Sequence, residues 1–112
     1  MQEEHLARSV GSGDVGALST PHVVALAEGA ACEALRGKLE EGNTSVGTSM
    51  TISHLKASPV GEKVAARATV TEIDKRKVAF EFEVHDSKQQ LIAKGVHERF
   101  VLNKQRFEEK LQ

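Results

Sequence analysis

A chain of 112 residues has the usual size of one domain and is long enough to bury a core. Fifteen Lys and Arg against sixteen Asp and Glu leave neither the basic field that nucleic acid requires nor the acidic excess of a disordered tail. Four Phe are the only aromatic residues and Cys32 is the only cysteine, which argues against base-stacking platforms, an intrachain disulfide and a CxxC metal site.

The first residues, "MQEEHLARSV", are acidic and lack an apolar core, so they do not read as a signal peptide. No run approaches the length of a bilayer span, and the expectation is a cytoplasmic protein that binds no membrane. "HLARSV" fits a helix or an edge strand, and its glycines make "GSGDVG" a loop. Thr20 then reads as an N-cap, with Pro21 at the first helical position where its missing N–H is not needed. Val23, Val24, Ala27, Ala30, Ala31, Ala34 and Leu35 recur at three- and four-residue spacing, which predicts a helix from Pro21 to about Glu40 with Gly42 as a left-handed cap. Its middle, "LAEGAACEAL", is built of small residues, as a sheet curving around the helix would need. Cys32, set among those alanines, reads as a small buried hydrophobe.

Beyond Asn43 the helical period gives way to four strand-like segments, at 45–56, 63–73, 77–85 and 91–102. The third is the cleanest, with Val78, Phe80, Phe82 and Val84 on one face and Glu81, Glu83 and His85 on the other. "SPVGE", "DKR" and "DSKQQ" are turn chemistry, and connections this short predict antiparallel neighbours in a meander. The closing "NKQRFEEKLQ" reads as a short helix or frayed end. One helix followed by an antiparallel sheet is an α+β layout in a single domain over 1–112.

Three polar residues stand out. Glu28 lies at the margin of the helix's apolar stripe, where a solvated carboxylate is the ordinary reading. Thr20 is explained by capping, yet the first turn of a helix also offers N–H groups and a positive dipole end to an oxyanion. His54 shares a strand face with Met50 and Ile52, which more often holds a hydrogen-bonded core histidine than a catalyst. The histidines show no metal-ligand spacing, so no metal is expected. Together the hydroxyl, carboxylate and imidazole suit hydrolysis of an activated acyl group, if a fold joins them. Neither a Gly-x-Ser-x-Gly elbow nor a Gly-rich phosphate loop is present.

"SGDVGALSTPHVVALAEGAACEAL", "SVGTSMTISHLKASPVGEKVAARATV" and "GVHERFVLNKQRF" resemble, in this order, the hot-dog-fold thioesterases related to fluoroacetyl-CoA thioesterase. The most specific elements are the Thr-Pro helix start with Glu eight residues later, the Val-Gly-Thr strand ending in His, and Gly-x-His-Glu-Arg. The resemblance implies a central helix wrapped by a curved antiparallel sheet and a homodimer, or a higher homo-oligomer, with sites at or near the protomer interface. It places the family's catalytic Thr, Glu and His on Thr20, Glu28 and His54, and implies an acyl-CoA substrate split into free acid and CoA without a cofactor. Gly47 and Thr48 then become pocket-lining residues, and Arg99 a candidate for the CoA phosphates against the ordinary reading of a solvated strand end. The fluoroacetyl-specific member carries bulky aromatics ahead of the helix where this chain reads "GSGDVGALS", so a small or medium acyl group is expected rather than fluoroacetyl alone. The rival from another class is a non-catalytic hot-dog module that binds acyl-CoA or a related small ligand. A hot-dog hydratase or dehydratase ranks low, because the nearest upstream acid to His22 is Asp14.

Overall fold

The computed structural model describes residues 18–59 and 61–112. The readings placed on "HLARSV" and "GSGDVG", and Val60 of the turn after the first strand, lie outside the described residues.

Helix α1 spans Thr20–Leu35. Its N-cap is Ser19 and not Thr20: Ser19 is extended, and its hydroxyl accepts from the His22 N–H at 3.2 Å. Ser and Thr are both good caps and Pro is tolerated throughout the first turn, so "STP" leaves the cap uncertain by one residue. The helix also ends short of Glu40. Gly37, just beyond Arg36, adopts φ +74° and takes the chain out of the helix, while Gly42 at φ +87° serves the turn into the first strand.

Strands β1 (Asn43–His54), β2 (Val64–Asp74), β3 (Lys77–Asp86) and β4 (Leu91–Asn103) follow, then helix α2 (Lys104–Lys110) capped by the Asn103 side chain. The sheet is antiparallel in the order β1-β4-β3-β2. Hairpins join β2, β3 and β4 as predicted, but the expected meander fails at its first step: β1 pairs with β4, and residues 55–63 carry the chain to the opposite edge. Three strand spacings amount to about 14 Å, well within reach of nine residues.

α1 lies across one sheet face and buries Val23, Ala27, Ala31 and Leu35, one residue per turn. Phe80, Phe82, Val84, Ile92 and Ala93 meet this stripe from the sheet, with Met50, Ile52, Ala66 and Ala68 at its margins. Ala27 and Ala31 carry only a methyl group each, which lets the sheet come close. Gly29 takes no part in this approach. It is exposed, and a Cβ there would touch nothing within 4 Å. Cys32 is likewise exposed, so its reading as a buried hydrophobe is corrected. No helix among the described residues is long and apolar enough to cross a membrane.

On β4 the usual pattern is inverted. Val96 and Phe100 face outward, 44% and 41% exposed, while His97 and Arg99 face α1 at 2% and 6%. A strand that buries a guanidinium and an imidazole in place of available apolar residues has polar work to do on its inner face.

Candidate functional site

Chain geometry brings Thr20 to His54. The Leu18 N–H donates to the Ser58 carbonyl at 2.9 Å, tying the residues before α1 to those after β1. The N–H groups of Leu55 and Lys56 both donate to the Ile92 carbonyl, which fixes the end of β1 against β4. Thr20, at the first turn of α1, and His54, the last residue of β1, therefore meet: Oγ1 stands 3.0 Å from Nδ1. His54 Nε2 is buried and has no hydrogen-bond partner among the described residues. Buried polar atoms are nearly always paired, which singles out this imidazole as a candidate functional group.

The helix start offers less to an oxyanion than its sequence suggests. Pro21 has no N–H, the His22 N–H is taken by Ser19 Oγ, and the Val23 N–H by the Ser19 carbonyl. Among the described residues the Thr20 N–H is left, together with the positive end of the helix dipole.

Glu28 is placed elsewhere. Eight residues along a helix is about 12 Å, so within one protomer it does not join the Thr20–His54 pair. Its half-exposed carboxylate sits beneath β1 at Gly47, where an added Cβ would come within 2.7 Å of Glu28 Oε2. A side chain at position 47 would push the carboxylate from this place. β1 bulges between Gly47 and Ser49, leaving Thr48 out of register with its Oγ1 donating to the Glu98 carbonyl.

Arg99 is no solvated strand end. Its Nε donates to Ser45 Oγ at 2.8 Å and its Nη2 to the Ser45 carbonyl at 3.0 Å. Its Nη1 faces both Glu28 Oε2 at 3.4 Å and His97 Nε2 at 3.1 Å. His97 reaches the Ser49 carbonyl through Nδ1 at 2.8 Å and stacks on Phe80 with ring centroids 6.3 Å apart. Two polar groups thus occupy the inner side of β1: the Thr20–His54 pair at its end, and a Glu28–Arg99–His97 cluster around Gly47. Sequence reasoning missed His97 and Ser45. The available signal was the alternation of Gly95, His97 and Arg99, which must share one face of β4.

A groove of about 510 Å³ on the other sheet face, with Arg67, Glu81, Glu83 and Lys94 in its lining, contains none of these residues.

Comparison with known proteins bears on this arrangement. A family model described as the fluoroacetyl-CoA-specific thioesterase FlK matches residues 1–105. The fluoroacetyl-CoA thioesterase of Streptantibioticus cattleyicolor is 31% identical over 93 residues, which cover 83% of this chain and 66% of that protein, just under two thirds of its length. The crystal structure of a mutant of the fluoroacetyl-CoA-specific thioesterase FlK, in complex with fluoroacetate and CoA, superposes with a TM-score of 0.88. That match has 26% identity and covers 96% of this chain and 90% of the other. A Thermus thermophilus thioesterase superfamily member gives a TM-score of 0.91 at 24% identity, covering 99% of this chain and 82% of its own, and that likeness carries the fold: a hot-dog.

Proposed function

The chain belongs to the fluoroacetyl-CoA-specific thioesterase family, and from that membership and this site we propose that it hydrolyses a small or medium acyl-CoA thioester to the free acid and CoA. The observation that carries the reading is the hydrogen bond between Thr20 Oγ1 and His54 Nδ1, at the positive end of α1. The reaction needs water as co-substrate and no cofactor.

Thr20 Oγ1 attacks the thioester carbonyl carbon while His54 Nδ1 takes its proton. For that step the neutral imidazole carries its hydrogen on Nε2. The oxyanion forms beside the Thr20 N–H and the helix dipole. When the C–S bond breaks, His54 returns the proton to the departing sulfur. Water then hydrolyses the acyl-Thr20 ester, with a carboxylate as general base.

That carboxylate is Glu28 of a second copy. Among the described residues β1 is an edge strand, twelve residues without a charged side chain before His54 and without proline, and its outer N–H and C=O groups suit pairing with a second edge. Antiparallel pairing of two β1 strands about an axis through Thr51 sets Met50 opposite the partner's Ile52 and, with the bulge at Thr48 taking up one residue, Gly47 opposite the partner's His54. Residues directly opposite share a sheet face with Cβ atoms about 5 Å apart, so Glu28 beneath Gly47 meets the partner's Thr20–His54 pair. Gly47 and Thr48 border the resulting pocket. Arg99, engaged by Ser45, Glu28 and His97, holds the carboxylate in place; we do not assign it to the CoA phosphates.

Mixing two inactive variants tests the reading. Thr20→Ala and Glu28→Ala proteins should each lose thioester hydrolysis by ~100-fold or more. Unfolded together and refolded as a mixture, they should regain about a quarter of wild-type activity, because half the dimers carry one intact site of two. No recovery would overturn the shared site, since each active site would then need Thr20 and Glu28 from the same protomer. Binding of acyl-CoA with thermal stabilisation but no thiol release from wild type would establish the binding module instead.

A further inference from the structure

We infer that His97 is a positioning residue, kept neutral with its hydrogen on Nδ1, which aims Arg99 and through it the carboxylate of Glu28. The inference rests on the reading of Glu28 as part of the active site.

Its neighbours determine the tautomer. Nδ1 lies 2.8 Å from the Ser49 carbonyl, which only accepts, so Nδ1 carries the hydrogen. Nε2 lies 3.1 Å from Arg99 Nη1, which only donates, so Nε2 presents a bare lone pair. An imidazolium would point an N–H at an N–H, and the other neutral tautomer would fail at both ends. The charged groups facing the ring are Arg99 from β4 and Glu28 from α1; β1 supplies the Ser49 carbonyl and β3 the ring of Phe80.

Arg99 is pinned at one edge by two contacts with Ser45. Nη1 is shared between His97 Nε2 and Glu28 Oε2. Without an acceptor at Nε2, Nη1 keeps only the 3.4 Å contact with Glu28 Oε2, and the guanidinium can shift about the edge that Ser45 pins. His97 is 2% exposed, so water does not replace the lost acceptor. The bland alternative is that His97 merely ties β4 to the bulge of β1 through Ser49.

The two roles use different ring nitrogens, so two substitutions separate them. An Asn amide nitrogen reaches the place of Nδ1 and keeps the Ser49 bond; a Gln amide oxygen reaches the place of Nε2 and keeps the Arg99 contact. His97→Asn should lower kcat for acyl-CoA hydrolysis by ~10-fold with KM changed less than ~3-fold, and His97→Gln should recover most of that loss. In a Glu28→Gln background His97→Asn should cost no more than ~2-fold further, because both act on one group. Nitrogen NMR of the wild-type imidazole should show Nδ1–H with Nε2 unprotonated at neutral pH. An Asn variant as active as Gln or more so, independent losses in the double variant, or an Nε2–H resonance would each overturn the inference. Full activity of Glu28→Gln alone would instead remove Glu28 from the catalytic reading, and the positioning role with it, while the tautomer measurement still reports the Arg99–His97 contact.

Discussion

Two glycines show how differently one residue type serves this protein. Gly29 is exposed within α1 and has open space where its Cβ would be, so Gly29→Ala removes backbone freedom from the unfolded chain and adds no clash. It should stabilise the protein by about 0.5–1 kcal/mol, read as a higher urea midpoint, with kcat/KM unchanged. Gly47→Ala should do the reverse. Its Cβ would stand 2.7 Å from Glu28 Oε2 and 3.1 Å from His97 Cε1, so the carboxylate must move. We expect kcat to drop ~10-fold or more with the melting temperature nearly kept; an active Gly47→Ala enzyme would show that the position of Glu28 does not matter. The reason to join Thr20 to His54 came from the resemblance and not from their spacing, while the residue types, the helix start and the strand His were all legible in the sequence. The choice of Ser19 as cap was not, because adjacent Ser and Thr are equivalent caps. Nor was the exposure of Cys32 or the burial of Arg99, since helix periodicity does not say which small residues the sheet covers and strand alternation does not say which side is inner.

Among the elements, the β3–β4 hairpin is held by one carboxylate. Asp86 Oδ1 accepts from the N–H groups of Lys88 and Gln90, both at 2.9 Å, and Lys56 Nζ stands 3.9 Å from Oδ2. The Gln90 N–H above all, then the Lys88 N–H and the Lys56 charge, hold the Asp86 carboxyl below its ordinary value against the cost of burial. Glu62 is lowered in the same way by the hydroxyl and N–H of Ser87, joining the start of β2 to the same turn. A carboxyl whose folded pKa is depressed stabilises the protein above its unfolded pKa, about 4 for Asp, and that stability is lost as pH falls through the folded value. Wild type should therefore lose stability as pH falls below about 4, through the depressed folded values of those carboxyls. Asp86→Ala should be less stable at neutral pH and show a shallower acid loss in urea titrations. If its acid loss equals that of wild type, the hairpin carboxylate is not the origin. The strand boundaries themselves were nearly all readable, because Val78–Val84 alternation and Gly, Asp and Lys turns leave little choice of period.

Across the whole molecule, strand order was the feature that local signals could not supply. Residues 55–63 are short enough to suggest a hairpin, yet β1 and β2 end on opposite edges, because the β2-β3-β4 hairpins leave one side of β4 open and β1 pairs there. That placement makes β1 the outer edge of the described sheet, beside the Thr20–His54 pair, and gives the proposed dimer its consequence: oligomeric state and activity must fail together. Thr51, exposed on the outer face of β1, sits on the pairing axis, so Thr51→Lys places two like charges directly opposite each other only when two edges meet. It lies away from Thr20, His54 and Glu28, and an exposed strand position changes protomer stability little. The variant should elute as a monomer by light scattering where wild type is dimeric, with far-ultraviolet circular dichroism preserved. Its specific activity should fall with dilution and recover with protein concentration, as mass action on a shared site demands. A folded, monomeric Thr51→Lys protein with full, dilution-independent activity would confine catalysis to one protomer, and Glu28 would then have no route to the Thr20–His54 pair.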